Sequence, residues 1–209
     1  MFRVPIPARA LRESDVDPDP FVQFTQWYDD AVAHGELQPD AMVVASCTPD
    51  AVPSARMVLL RGVDHRGFCF YTNYDSRKGR ELDANPRAAI AFHWPEVLRQ
   101  VRATGAVERI DDAESNAYWD NRPRASRVSA WASEQSEVVV SRDELEGRVV
   151  ELEARFAGGD VPRPTAWGGY RVVPDDVEFW QHRDDRLHDR LRYARRAGRD
   201  GWRIERLQP

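Results

Sequence analysis

Between Ala41 and Ile110 the chain is a succession of short apolar runs separated by turn residues, and this patterning constrains the fold more than any other feature. Met42-Val43-Val44-Ala45, Arg56-Met57-Val58-Leu59-Leu60-Arg61 and Phe68-Cys69-Phe70-Tyr71-Thr72 read as strands. Asp64-His65-Arg66-Gly67 separates the last two as a hairpin turn. Ser76 opens a short helix that stops before Asn85-Pro86. Two more strands follow, Ala88 to Trp94 and Leu98 to Ile110, the second long enough to bend or bulge. Parallel strands need long, usually helical, crossovers between them. No βαβ series of that kind is present, which argues against a Rossmann-type nucleotide fold.

Helical patterns flank this block. Asp19-Pro20 caps a helix in which Phe21, Phe24, Tyr28, Ala31 and Val32 recur at helical spacing, and Gly35 ends it. Asp111 to Asn121 reads as a helix with Glu114 completing a capping box, and Ser141-Arg142-Asp143-Glu144 repeats the signature. Behind the second box, Leu145, Val149, Leu152 and Phe156 form an apolar stripe. The tail returns to strands near 168–173, 177–182, 188–194 and 202–207. The expected class is therefore mainly β (α+β): a closed or nearly closed antiparallel barrel flanked by helices. Gly158-Gly159 and the prolines at 162 and 164 break the chain over too short a stretch for a domain linker. Residues 17–209 are expected to form one domain, with 1–16 as a flexible N-terminal segment.

The 209 residues suffice for one domain with a real core, and 42% hydrophobic with 31% charged residues are globular values. A net charge of −5 argues against a nucleic-acid partner. No apolar run approaches the roughly 18 to 20 residues that cross a bilayer, so no membrane association is expected. Met1-Phe2-Arg3-Val4-Pro5-Ile6-Pro7 lacks the apolar core of a secretory signal. Cys47 and Cys69, each inside an apolar run, read as buried thiols in a reducing compartment, and the protein as cytoplasmic.

Four clusters could carry chemistry. Ser76-Arg77-Lys78 places a hydroxyl, two cations and free backbone N–H groups at a helix start, which suits a phosphate; the plain alternative is an N-cap with solvated charges. Arg56 and Arg61 bracket an apolar strand and by alternation point to opposite faces, so one ligand reaches both only if the strand bulges or the ligand is large. Tyr118 and Arg122 share a helical face that Ser126 extends if the helix continues past Pro123, a set suited to a phosphate monoester. Arg186, His188 and Arg190 would line one face of a strand, and three such groups repel unless an anion or electron-rich ring lies over them. Trp180, upstream, can stack on a flat ligand or fill the core. The five histidines show no paired metal spacing, and CxxC, GxSxG, Walker A and GxGxxG motifs are absent.

Taken in order, these segments resemble the pyridoxamine 5'-phosphate oxidase family. The resemblance is carried by Arg56–Arg61, Phe70-Tyr71-Thr72-Asn73, Ser76-Arg77-Lys78, Arg99-Gln100-Val101 and Arg122-Pro123-Arg124-Ala125-Ser126. It continues through Ala130-Trp131-Ala132-Ser133-Glu134-Gln135-Ser136, Trp167-Gly168-Gly169-Tyr170, Glu178-Phe179-Trp180-Gln181, Arg186-Leu187-His188-Asp189-Arg190 and the ending Arg206-Leu207-Gln208-Pro209. The order is unbroken from about residue 17 to the C-terminus.

That resemblance implies an FMN-binding split β-barrel of Greek-key type and a homodimer with FMN at each subunit interface. Pyridoxamine and pyridoxine 5'-phosphates would be oxidised to pyridoxal 5'-phosphate, with O2 as acceptor and H2O2 released. By position, Arg56, Met57, Val58, Leu59, Leu60, Arg61, Tyr71, Thr72, Arg77, Lys78 and Gln100 would hold the flavin, completed by Gln135, Ser136, Trp180 and Arg190. Arg61, Tyr118, Arg122 and Ser126 would clamp the substrate phosphate. Arg186, Leu187 and His188 would lie over the pyridine ring, with Arg186 and His188 as catalytic residues. The reaction implied is hydride transfer from the substrate C4' carbon to flavin N5. Lys78 is the only lysine, and its solitude fits a chain that releases pyridoxal phosphate as product and needs no catalytic Schiff base.

The chain departs from the family pattern at three places. Arg61 stands where many members carry lysine, Arg3 and Ile6 where an arginine and a tyrosine form a lid, and His182 where glycine is usual. Two rival readings share the fold: a flavin enzyme acting on another ring system, as in phenazine biosynthesis, and a non-catalytic flavin- or haem-binding protein.

Overall fold

The computed structural model describes residues 10–196 and 201–209. Among them, nine strands build one sheet that is antiparallel at every pairing. They are β1 (Ala41–Cys47), β2 (Pro53–Leu59), β3 (Gly62–Asp64), β4 (Gly67–Asn73), β5 (Arg87–Trp94), β6 (Arg99–Arg109), β7 (Trp167–Gln181), β8 (Asp189–Arg195) and β9 (Trp202–Arg206). The main path runs β2-β1-β5-β6-β7-β4-β3, while β8 joins β7 and β9 joins β8. The two outermost strands of that path, β2 and β3, are separated in the chain only by Leu60 and Arg61. The sheet must therefore curl until its edges approach, which gives a split barrel. At this corner the Leu60 N–H donates to the Asp40 carbonyl and the Arg61 N–H to the Cys69 carbonyl, both at 2.8 Å. The strand expected over 56–61 thus ends at Leu59, because the last two residues serve the corner.

The two expected strands near 168–173 and 177–182 are one strand, β7. One of its edges pairs with β6, and the other passes from β4 to β8. Pro174, which has no N–H to give a ladder, sits at the change of partner. Opposite it the register shifts between Thr104 and Gly105, where a Cβ would lie 2.0 Å from the Val173 oxygen. Thr104 pairs with Asp176 and Gly105 with Pro174, so the extra residue is Asp175: the bulge expected in the long strand β6 lies instead on its partner β7, opposite Gly105.

Among the described residues, five α-helices surround the sheet: α1 (Pro20–Ala33), α2 (Arg77–Ala84), α3 (Asp112–Asp120), α4 (Arg124–Ala132) and α5 (Arg142–Arg155). Asp19 caps α1 by accepting the Phe21 N–H at 2.8 Å. Its apolar face places Phe24 5.0 Å from both Phe68 and Phe92, and Trp27 5.1 Å from Phe179. Phe24 is fully buried, and truncation to alanine is expected to cost about 3–5 kcal/mol. A second core joins Trp119, Val128, Val161 and Trp167, and Val149, Leu152 and Phe156 of the predicted stripe pack on it.

Neither capping box closes fully. Asp111 and Ser141 accept the N–H groups of Glu114 and Glu144 as expected. The Glu114 carboxylate pairs instead with Arg66 and Arg171, and that of Glu144 with Arg148, because a guanidinium outcompetes a backbone N–H. Cys47 and Cys69 are free thiols, the first partly exposed and the second buried. Among the described residues no helix is long and apolar enough to cross a membrane.

Candidate active site

A cavity of about 860 Å³ opens between the edge strand β2, the end of β4, the start of α2 and the α3–α4 junction. It gathers Arg56, Met57, Val58 and Leu59 from β2, Arg61 from the corner, and Tyr71 and Thr72 from β4. Arg77 and Lys78 reach it from α2, and Tyr118, Arg122, Ser126, Gln135 and Ser136 complete it. The opposed faces assigned to Arg56 and Arg61 cease to matter, because the chain turns between them.

One part of the wall is a cationic nest. Ser76 is buried, accepts the Gly79 N–H as N-cap of α2 and donates to the Asn73 carbonyl at 2.7 Å. A Cβ at Gly79 would stand 1.8 Å from the Tyr74 oxygen, so glycine lets the helix start lie against the end of β4. Lys78 is buried too, which rules out the solvated-charge alternative for it. Its Nζ donates to Thr72 Oγ1 and Gln135 Oε1 at 2.9 Å and to Ser76 Oγ at 3.3 Å. Burial, joined by the charge of Arg56, lowers its pKa to about 8. The Arg77 backbone N–H donates to Ser136 Oγ at 3.2 Å. Ser136 itself holds a left-handed φ of 80°.

Beneath this nest lies Glu81, a residue the sequence reading missed. It is buried, and its carboxylate accepts the Ser46 and Ser54 hydroxyls at 2.5 Å and the Arg77 Nε–H at 2.9 Å. Arg56 donates to Ser46 Oγ at 2.6 Å and to Ser54 Oγ, and stands 3.4 Å from Glu81. Burial raises the Glu81 carboxyl, but these hydrogen bonds and the Arg56 charge outweigh it and bring the pKa to about 2. Three cations against one carboxylate leave a surplus of positive charge, as an anion site requires. The available signals were the i,i+4 spacing of Arg77 and Glu81 and the alternation that puts Ser54 and Arg56 on one face of β2.

A second group holds Arg61, Tyr118, Arg122 and Ser126. Tyr118 does not share one helix with Ser126: α3 ends at Asp120, and α4 starts anew after Pro123. The junction nevertheless keeps the set together, with Arg122 Nη2 donating to the Ser126 carbonyl at 3.2 Å. Tyr118 stacks on Tyr71 with centroids 3.9 Å apart and planes 7° apart. The Arg122 guanidinium lies 4.5 Å from the Trp167 ring and 5.4 Å from that of Trp119. Burial lowers the Arg122 pKa, and the nearby Arg61 charge adds to this. Arg61 is paired with Asp40 at 2.7 Å. A smaller cavity of about 410 Å³ shares Tyr71, Arg122, Ser126 and Gln135 and extends to Ser129, Ser133 and Trp167.

The remaining expected residues lie elsewhere in the chain. Leu60 turns its side chain into the core. Gln100, Trp180 and Arg190 face one another across β6, β7 and β8. Arg190 forms a two-pronged pair with Glu178 at 2.9 and 3.0 Å and donates to the Gln208 carbonyl. Arg186 and His188 do not share a strand face with Arg190, because β8 starts only at Asp189. They occupy a tight turn in which Arg186 has φ 65°, its N–H donates to the Arg183 carbonyl, and Leu187 is exposed. His188 Nδ1 accepts the Arg183 N–H at 3.1 Å, so the neutral ring carries its proton on Nε2. Its ring stands 4.7 Å from Trp180 and 5.1 Å from His182. None of this third group lines either cavity. Arg3 and Ile6 lie outside the described residues.

Comparison with known proteins decides the family. The model described as "Pyridoxamine 5'-phosphate oxidase" matches residues 28–156, and that of the "Pyridoxine 5'-phosphate oxidase C-terminal dimerisation region" matches 167–209. The chain belongs to the pyridoxamine 5'-phosphate oxidase family. It is 57% identical to the pyridoxine/pyridoxamine 5'-phosphate oxidase of Rubrobacter xylanophilus, covering 95% of this chain and 91% of that one. The same-named protein of Cupriavidus taiwanensis is 55% identical over 96% and 93%. Among solved structures, PhzG from Burkholderia lata in complex with tetrahydrophenazine-1-carboxylic acid superposes with a TM-score of 0.90 at 32% identity, covering 97% of this chain and all of that one. A pyridoxamine 5'-phosphate oxidase-related, FMN-binding protein from Nostoc punctiforme superposes with a TM-score of 0.70 at 18% identity over 89% and 97%, a likeness of fold. In this oxidase-family chain the third group, Leu60 and Gln100 excepted, lies inside the dimerisation region.

Proposed function

We propose that the chain is an FMN-dependent oxidase that converts pyridoxamine 5'-phosphate and pyridoxine 5'-phosphate to pyridoxal 5'-phosphate, using O2 and releasing H2O2. It works as a homodimer with FMN at the subunit interface. The observation that carries the reading is the division of one cavity wall into two cationic groups, suited to two phosphorylated ring compounds lying together.

The residues present fit FMN. A cavity of about 860 Å³ lies within the roughly 300–1,000 Å³ of ordinary ligand sites. Arg56, Arg77, Lys78 and Ser136 would receive its phosphate, a dianion matched to their surplus charge. β2 is the outer strand of the sheet path, so its free edge offers backbone donors and acceptors to a flat heterocycle between Met57 and Leu59. Tyr71, Thr72, Gln100, Gln135, Trp180 and Arg190 complete the proposed set. When bound, FMN supplies a two-electron acceptor that dioxygen can reoxidise.

The second group would hold the substrate. Arg122 is already stripped of much of its water and backed by two indole rings, so a phosphate monoester meets a guanidinium that has little hydration to lose. Arg61, Tyr118 and Ser126 would supply further donors. With the phosphate fixed, the pyridine ring is held at one distance from the reacting face. We assign the positioning of C4' and the stabilisation of developing charge to Arg186 of the partner subunit, because this turn lies in the dimerisation region and away from its own chain's cavities. His188, protonated at Nε2, would act as a hydrogen-bond donor rather than a base. For the amine substrate, water attack on the oxidised product releases ammonia.

The 0.90 likeness to PhzG favours a second reading, oxidation of a fused tricyclic acid. The two separate by assay: purified protein with FMN should release peroxide and pyridoxal phosphate from the B6 phosphates. Turnover of a phenazine precursor alone would transfer the reading to that substrate class. Residues 17–209 are taken as one unit. A cytoplasmic location is proposed on the two unpaired thiols.

A further inference from the structure

Lys78 is chemically singular in this chain. It is the only lysine, so no other side chain presents a primary amine. It is 6% exposed, yet it lines the larger cavity, so a small molecule that enters the cavity reaches it while bulk solvent hardly does. Its three described hydrogen-bond partners, Thr72, Gln135 and Ser76, are neutral, and the Glu81 charge, which favours the ammonium, is outweighed by burial and Arg56, so the amine becomes reactive by giving up one proton and one of these three bonds. Arg77 follows the same helix cap and Arg56 lines the same cavity, so an anion has a seat beside the amine.

An amine attacks an aldehyde only when neutral, and a phosphate on the same molecule raises its local concentration beside arginines. Pyridoxal 5'-phosphate combines both groups, the aldehyde and the phosphate being on adjacent ring carbons. We propose that Lys78 is a covalent capture site for the aldehyde product in chains that have not yet bound FMN. The Nζ lone pair forms a bond to C4', and the carbonyl oxygen leaves as water with the two amine protons, giving an imine without any oxidant or reductant. The lowered pKa of Lys78, near 8, leaves a substantial neutral fraction under ordinary conditions. FMN and the aldehyde then compete for one nest, so accumulated product slows loading of the cofactor into new chains. The proposal rests on the oxidase reading for the identity of the aldehyde, though not for the reactivity of the amine.

The test adds authentic pyridoxal 5'-phosphate to the full chain stripped of FMN, to the FMN-loaded chain and to stripped Lys78→Arg, followed by borohydride and peptide mass mapping. The expected result is one phosphopyridoxyl group on the peptide holding Lys78, at least tenfold less of it in the loaded chain, and none on that peptide in Lys78→Arg. On the stripped wild-type chain, the aldehyde should slow FMN uptake, read by quenching of flavin fluorescence. Labelling confined to the N-terminal amine, equal labelling of loaded and stripped chains, or no labelling overturns the proposal. Because the aldehyde is supplied, these outcomes are independent of whether the protein makes it; failure of the oxidase reading shows separately, as absence of peroxide.

Discussion

Glu81 grips Arg77 by one nitrogen: Oε1 accepts the Nε–H at 2.9 Å, and among the described residues the terminal nitrogens of that guanidinium take no protein partner. The carboxylate thereby orients the fork while leaving its two ends for an anion. Glu81→Gln should weaken FMN binding by about tenfold or more, the scale of one charge-assisted hydrogen bond, with kcat at saturating FMN retained. Fluorescence titration and steady-state kinetics separate these. The pH dependence follows from the depressed carboxyl, about 2 when folded against 4.5 as its ordinary value. Its contribution, of order 3 kcal/mol, is complete above the ordinary value and lost as pH falls through the folded one. The stability gap between wild type and Glu81→Gln should therefore shrink as denaturation is moved from pH ~6 toward pH ~2.

Arg122, resting on Trp167 and Trp119, is assigned to the substrate phosphate. Arg122→Ala should lower kcat/KM for the phosphorylated substrates by about 10- to 100-fold, mainly through KM. Turnover of the unphosphorylated vitamers should change little. An equal loss on both substrate types would remove the phosphate from this residue.

The positive φ of Arg186 allows its chemistry to be separated from its fold. Glycine adopts that conformation freely, so Arg186→Gly should leave stability unchanged or raise it by up to about 1 kcal/mol. Arg186→Ala and Arg186→Gly should both lower kcat/KM by about 100-fold. Thermal melts and kinetics on the two variants give the comparison. Wild-type kcat/KM in either would end the assignment.

If Arg186 serves the partner's cavity, inactive variants should complement one another. A mixed dimer of Arg122→Ala and Arg186→Ala chains has one site with both changes and one with neither. Random reassociation should restore about a quarter of wild-type activity, since half the dimers are mixed and each has one intact site. No recovery on mixing, with mixed dimers verified by mass, would place both residues in one chain's site.

Much of this was legible in residue order. The strand periodicity gave the antiparallel barrel, and the expected site residues from Arg56 to Ser136, Leu60 and Gln100 aside, converge on one cavity. What alternation misjudged were ends: Leu60-Arg61 and Arg186–His188 continue a strand pattern, but a corner and a left-handed turn take them out of it. The reading of two strands near 168–173 and 177–182 broke at Pro174 and Asp175, where β7 changes partner on one edge and carries its extra residue on the other without ending. Glu81 was passed over because its role is set by two strands and a helix meeting, and a single i,i+4 pair does not announce that.

The central claim is tested most directly by the visible spectrum of the purified, FMN-loaded protein before and after anaerobic addition of pyridoxamine 5'-phosphate. The expected result is a yellow protein that bleaches on addition and regains its colour when air is admitted, with peroxide formed. A protein that takes up no FMN, or a flavin band that the substrate leaves unchanged, would contradict the account.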